Sequence, residues 1–77
     1  MQLFEKQYTE EQIKELLQWV KDTKPTGSID LGEGIKIDDI EFFFNQMSNI
    51  LETRYNNPAY SGQICIAMNL RAKYESK

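Results

Sequence analysis

The carboxylates best placed for chemistry lie together as Asp38, Asp39 and Glu41. Neighbouring carboxylates can exchange protons with a substrate or bind a hard cation such as Ca²⁺. These three also stand directly before an apolar helical run, where acidic side chains cap free backbone N–H groups and complement the helix dipole. Because capping accounts for all three acids, we interpret them as structural residues.

The glycine-containing segment that begins at Asp30 could form a phosphate-binding or calcium-binding loop. Its Gly-Glu-Gly sequence at 32–34 has two glycines of a dinucleotide-binding fingerprint, but Ile37 occupies the position of the third. Read as a calcium loop, the segment has glycines at the third and fifth positions and Ile35 at the sixth, where glycine is needed. We therefore expect these glycines to form a turn.

The sequence has no histidine and one cysteine, Cys65. Without histidine, Ser–His and Cys–His catalytic pairs and histidine-containing zinc sites are impossible. Cys65 lies in the apolar run 64–68 with no basic residue close in sequence, so we expect a buried structural thiol. The sequence therefore predicts a protein that is not an enzyme and that has no metal or cofactor.

The first element that positions these residues is a helix predicted over 9–23. Thr9 and Gln12 have the capping-box spacing at its start, and Pro25 disfavours helical geometry at Lys24. Trp19 lies at the edge of the apolar stripe of this helix. The stripe has the spacing i, i+3, i+4, i+7 and consists of Ile13, Leu16, Leu17 and Val20.

Residues 24–37 are the least helical part of the chain, with one proline and three glycines among them. Aliphatic residues alternate around the glycines, so one interpretation is a hairpin with strands near 28–31 and 35–37 and a three-residue loop. The other is an extended loop that packs under the helices. Because an isolated two-stranded ribbon is only marginally stable, we favour the packed loop with at most a little β pairing.

A second helix is predicted over 38–55, with Asp38 as N-cap and Glu41 at the capping-box position. Phe42 points almost directly away from the apolar face. It either packs on Ile37 as a hydrophobic staple or forms an exposed anchor for a partner. The apolar face itself contains Ile40, Phe43, Phe44, Met47, Ile50 and Leu51.

A third helix is predicted over 58–75, with Asn57 as N-cap and Pro58 at the first helical position. It is apolar on more than one side, which is typical of a helix that is covered twice or that contributes to an interface. Ile66 and Leu70 form its second apolar edge. The predicted fold is therefore mainly α: a single small three-helix domain over 1–77, with an N-terminal lead at 1–8 and an irregular or short β-hairpin segment at 24–37.

Several of these features resemble a short uncharacterised family, a domain of unknown function in Bacteroidetes proteins. The likeness covers about two thirds of the chain and implies a small helical fold with no assigned activity. The chain departs from that family in having no histidine in its middle helix. The shared pattern consists of Lys24-Pro25-Thr26-Gly27, Ile29, Leu31, Asp38-Asp39-Ile40, Asn56-Asn57, Tyr60, Leu70 and Arg71.

The net charge of −3 is unevenly distributed. Residues 28–52 carry six acids and one lysine, whereas residues 53–77 are mildly basic. There is no dense cluster of Lys and Arg of the kind that phosphate binding needs, so nucleic acid is an unlikely partner. The N-terminal residues have no apolar core of signal-peptide length and no run approaches a membrane span, so we expect a cytoplasmic protein with no membrane partner.

These observations favour a small protein–protein interaction module that binds a second copy of itself or binds and inhibits a larger protein. The alternatives are a nucleic-acid regulator that uses Arg54, Arg71, Lys73 and Lys77, and an acidic phage-type inhibitor that mimics nucleic acid. The candidate partner contacts are Trp19, Phe42, Glu33, Asp39, Ile66 and Leu70.

Overall fold

A computed structural model of the chain describes residues 8–76. Within that range the mainly α, three-helix prediction is confirmed, and a two-stranded hairpin lies between the first two helices. The predicted lead lies outside the described residues, except for Tyr8. In chain order the elements are α1 (Glu10–Thr23), β1 (Ile29–Gly32), β2 (Ile35–Ile37), α2 (Ile40–Thr53), a 3₁₀ turn (Pro58–Tyr60) and α3 (Ser61–Glu75).

Helix α1 begins and ends where its sequence signals predict. The Thr9 hydroxyl accepts a hydrogen bond from the Gln12 N–H at 3.2 Å, and the Gln12 side-chain oxygen accepts one from the Thr9 N–H at 2.9 Å. This reciprocal pair is the predicted capping box. At the other end Lys24 turns into the left-handed region with φ 50°, and its N–H donates to the Val20 carbonyl at 2.8 Å.

The segment after α1 forms the hairpin, so the preference for a packed loop is wrong. Strands β1 and β2 pair antiparallel, and the turn has two residues, Glu33 and Gly34, rather than three. Both have positive φ, at 54° and 83°. The Asp30 carboxylate also accepts a hydrogen bond from the Gly32 N–H at 2.8 Å, beside a bulge in the pairing. This local turn chemistry, together with the packing of β1 against α3, supplies the support that an isolated ribbon lacks.

The N-cap of α2 lies one residue later than predicted, at Asp39 rather than Asp38, and the helix itself runs from Ile40 to Thr53. The Asp39 carboxylate accepts a hydrogen bond from the Phe42 N–H at 3.0 Å. The Ile40 N–H donates to the Gly27 carbonyl at 2.8 Å, and this bond to the loop after α1 fixes the start of the helix. With the cap at Asp39, Glu41 no longer stands at the capping-box position.

The core is one cluster to which all three helices and β1 contribute. Trp19 of α1 packs edge-on against Phe44 of α2 at 6.0 Å between ring centroids, and against Tyr74 of α3 at 5.7 Å. The Arg71 guanidinium lies 5.7 Å from the centroid of the Trp19 ring. We call these four residues the aromatic junction, because they join the three helices.

Candidate functional site

Two of the predicted partner contacts, Trp19 and Leu70, lie in the core and are not available to a partner. Trp19 is 9% exposed and Leu70 is fully buried. Trp19 stands at the edge of its own helical stripe, but Tyr74 and Arg71 of α3 cover that edge. Leu70 is covered because α3 packs against β1 as well as contributing to the aromatic junction.

Phe42 has the opposite environment, since 59% of it is exposed. It is the one large hydrophobic residue among residues 8–76 with so open a position. Successive helical residues are about 100° apart, so Phe42 points outward while Ile40 and Phe44 are buried.

Ile37 packs against the core. With Asp39 as the N-cap, the staple positions N′ and N4 are Asp38 and Phe43 rather than Ile37 and Phe42, so the hydrophobic-staple interpretation does not fit this helix start. The interpretation of Phe42 as an exposed anchor stays a prediction.

Three carboxylates lie close to Phe42 in sequence. Asp38 and Asp39 precede it at the start of α2, Glu41 adjoins it, and all three are exposed. Asp39 is engaged in capping, and Asp38 lies 3.9 Å from Lys36 with 86% of its side chain exposed. We call Asp38, Asp39, Glu41 and Phe42 the Phe42 surface.

An open groove of about 450 Å³ lies beside the Phe42 surface, between the end of α1 and the start of α2. The sequence analysis missed this groove, because its residues come from two helices and the loop between α1 and β1. The Lys-Pro sequence at 24–25 marks the position where the chain leaves α1, and it is the local signal that points to this site. The lining of this α1–α2 groove comprises Val20, Lys21, Lys24, Pro25, Glu41, Phe44 and Asn45.

A second groove, of about 300 Å³, lies between the hairpin and α3. It brings together Glu33 and Ile66, two predicted contacts that are 33 residues apart in sequence (66 − 33). Both Ile66 and Ile35 are half-buried here. The lining of this hairpin–α3 groove comprises Leu31, Gly32, Glu33, Ile35, Cys65, Ile66 and Asn69.

Cys65 lines the hairpin–α3 groove. Its thiol was predicted to be buried and is half-buried instead. Its sulfur accepts a hydrogen bond from the Asn69 side-chain amide at 3.8 Å. Tyr8 also hydrogen-bonds to Cys65, and burial together with this bond raises the pKa of the Tyr8 hydroxyl to about 12. Cys65 is partly exposed because an open groove lies between the hairpin and α3 at this position.

Residues 8–76 contain neither a cluster of metal ligands nor a membrane-spanning helix. No group of three or more Cys, Asp and Glu side chains in this range is arranged to hold a metal ion. None of the helices described has the length and apolar character that crossing a membrane requires.

The basic residues of the nucleic-acid alternative are partly engaged within the fold. Arg71 stacks on Trp19 and lies 3.5 Å from Glu75, and Arg54 donates to the Asn49 side chain at 3.4 Å. Lys77 lies outside the described residues. These contacts direct two of the four cations toward the protein's own side chains, which gives the nucleic-acid alternative little support.

The chain has no match among protein-family models, curated proteins or solved structures. The resemblance to the Bacteroidetes family therefore stays a prediction, and function must be argued from the site alone.

Proposed function

We propose that this protein is a small, non-catalytic protein–protein interaction module that binds its partner through the Phe42 surface. The observation that carries the proposal is the 59% exposure of Phe42, in a domain whose other large hydrophobic residues between 8 and 76 are buried or half-buried. Covering a phenylalanine side chain is worth about 1.5–3 kcal/mol. An aromatic ring of this kind is a typical anchor of an interface.

The backbone that presents Phe42 is held in place before any partner arrives. The Asp39 carboxylate accepts the Phe42 N–H, and the adjacent Ile40 N–H donates to Gly27. A contact residue that is already ordered loses less conformational entropy on binding. The rigid start of α2 therefore favours a binding role for this ring.

The carboxylates close to Phe42 in sequence fit the same role. They are exposed, and Asp39 is engaged in capping, so they supply charge at the rim of a contact. Charged groups at an interface rim determine orientation and association rate more than affinity. A partner with cationic groups around an apolar recess would match this arrangement.

Site-specific photo-crosslinking tests the proposal. The chain, with a benzoyl analogue of phenylalanine at position 42, is expressed in its native host and irradiated. The matched control places the analogue at Gln63, an exposed position on α3. We expect a discrete crosslinked product from position 42 only, and competition by the unmodified chain but not by Phe42→Ala.

Two results would overturn the proposal. One is the absence of any product specific to position 42. The other is a product that forms equally from position 63, because that would indicate non-specific contact rather than binding through the Phe42 surface.

A further inference from the structure

We propose that the partner of the Phe42 surface is a second copy of this chain, with Phe42 of each copy inserted into the α1–α2 groove of the other. This inference rests on the proposed function and names its partner.

The ring and the groove lie side by side on one surface. Phe42 is adjacent in sequence to Glu41 and three residues from Asn45, and both of those residues line the groove. On a helix, residues three apart are neighbours. A two-fold contact needs a patch that is complementary to itself, so that residue i meets j and j meets i. A projecting ring beside an open recess satisfies that requirement.

The groove has the size and the lining for an aromatic ring. Its volume of about 450 Å³ lies within the range of about 300–1,000 Å³ for binding pockets in proteins. Val20, Pro25 and Phe44 give it apolar walls. Phe44 is a member of the core cluster, so the floor of the groove is continuous with the apolar core.

The two halves of the contact differ in their balance of charge: two lysines outnumber the one carboxylate, Glu41, in the groove lining, whereas acids outnumber Lys36 beside the projecting ring. Lys21 and Lys24 line the groove at the end of α1, while Asp38 and Asp39 stand beside the projecting ring. Neither lysine takes part in the ion pairs found within residues 8–76, which are Lys14–Glu10, Lys36–Asp38 and Arg71–Glu75. Insertion of the ring would bring the two aspartates toward these lysines. Opposite charges on facing surfaces favour one docking orientation.

The hairpin–α3 groove is a poorer receptor for the same ring. Its one charged lining residue is Glu33, which would repel the carboxylates of the Phe42 surface. Like charges brought together at an interface are unfavourable. The difference in charge selects the α1–α2 groove as the receptor.

Sedimentation velocity of the full chain, from about 1 µM to about 1 mM, tests for dimers with dissociation constants in the micromolar to millimolar range. We expect a reversible monomer–dimer equilibrium. Phe42→Ala should raise the dimer dissociation constant by about 30-fold, as loss of a strong anchor does, with unchanged circular dichroism because the ring is outside the core. Only monomer up to the highest concentration, or the same dissociation constant for Phe42→Ala and the unmodified chain, would overturn the inference.

A pair of charge variants tests whether each ring inserts into the other copy. The first variant carries Lys21→Glu and Lys24→Glu, and the second carries Asp38→Lys. Each alone places like charges at both contacts, so self-association should weaken by about tenfold or more. An equimolar mixture has opposite charges at both contacts, and it should form a mixed dimer that neither variant forms alone.

The control for this pair is the double variant Lys14→Glu/Lys73→Glu, which reverses the same amount of charge at exposed positions elsewhere. It should dimerise like the unmodified chain. Failure of the mixture to associate, or an equal loss of association in the control, would overturn the insertion geometry.

The sizing and crosslinking results separate failure of this inference from failure of the proposed function. A crosslinked product from position 42 with twice the mass of the chain supports both. A product of another mass, together with a strictly monomeric chain, overturns the second-copy inference and leaves the interaction module standing. Absence of both product and dimer overturns both proposals.

Discussion

The aromatic junction and the Phe42 surface show how differently this small domain uses two aromatic side chains. Trp19 and Phe42 both lie on amphipathic helices at positions off the centre of the apolar face. Trp19 is covered by Tyr74 and Arg71 of α3, whereas Phe42 stays 59% exposed among the elements that residues 8–76 form. The difference therefore has two sources: Trp19 lies at the edge of the apolar stripe of α1, where α3 covers it, whereas Phe42 points away from the buried face of α2.

The two aromatic residues should therefore contribute differently to stability. Trp19 contacts two rings and a guanidinium, and each such aromatic pair adds about 0.5–1.5 kcal/mol beyond the area it buries. Phe42 has no such contacts among the described residues and leaves its surface to solvent. Substitution of the two residues should separate these effects.

The largest expected effect is that of Trp19→Ala. Loss of a buried tryptophan removes about 3–5 kcal/mol from the free energy of unfolding. The stability of a chain of 77 residues is on the order of 4–12 kcal/mol, so this variant should be close to unfolding. Urea unfolding followed by far-ultraviolet circular dichroism measures the change.

The matched variant is Phe42→Ala, which should change the same free energy by less than about 0.5 kcal/mol because the position is exposed. Equal losses for the two variants would contradict the distinction between the junction and the surface. If Trp19→Ala is unfolded from the start, Trp19→Phe retains part of the junction and gives a measurable intermediate loss.

A second pair makes the same comparison on α3, where the sequence predicted that Ile66 and Leu70 share the second apolar edge. Leu70→Ala should lower the free energy of unfolding by about 2–5 kcal/mol, because the side chain is fully buried. Ile66→Ala should lower it by about 1 kcal/mol, since Ile66 is only half-buried. Chemical denaturation of both variants tests this, and a larger loss for Ile66→Ala would show that the hairpin–α3 groove is closed in solution.

Local signals in the sequence were sufficient to predict the helices. The Thr9–Gln12 capping box and Lys24-Pro25 at the end of α1 are each complete within a few residues. The Asn57-Pro58 signal is equally local, but it caps the 3₁₀ turn, and α3 begins at Ser61 rather than at Pro58 as predicted. Such signals act through hydrogen bonds between near neighbours, so no knowledge of the tertiary structure is needed to interpret them.

The candidate site was less predictable, because it depends on what other elements cover. Exposure of Phe42 follows from its position opposite the buried face and was one of two stated alternatives. Burial of Trp19 and Leu70 depends on how α3 lies against α1 and β1. The α1–α2 groove likewise exists only once two helices have packed. Periodicity within one helix contains no information on these contacts.

The start of α2 gives a smaller effect that tests the presentation of Phe42. Asp39→Ala should lower the free energy of unfolding by about 1 kcal/mol, the usual loss on removal of an N-cap side chain. Asp38→Ala should have little effect, because its exposed pair with Lys36 is worth at most about 1 kcal/mol. Thermal unfolding of both variants measures this. A greater loss of stability for Asp38→Ala would indicate that Asp38 is the N-cap, as the sequence predicted.

Tyr8 lies between the two extremes, as a half-buried aromatic whose hydroxyl contacts Cys65. Burial first, and then this contact, raises its pKa from 10.0 to about 12, so the folded protein holds the phenolic proton more tightly than the unfolded chain. The stabilisation from this group is therefore complete below about pH 10 and is lost as the pH rises through about 12. Tyr8→Phe should show a shallower decline in urea stability over this interval than the unmodified chain.

The control is Tyr60→Phe, which removes a phenol but keeps the contact between Tyr8 and Cys65, and which should retain the steep alkaline decline. Cys65→Ala separates burial from the contributions of Cys65, because alanine can neither hydrogen-bond to Tyr8 nor carry a charge beside it. If burial is the larger cause, most of the alkaline decline should persist in Cys65→Ala. Identical alkaline curves for Tyr8→Phe and the unmodified chain would show that folding does not raise the pKa of the Tyr8 hydroxyl. Tyr8 would then count as an uncovered aromatic residue, like Phe42.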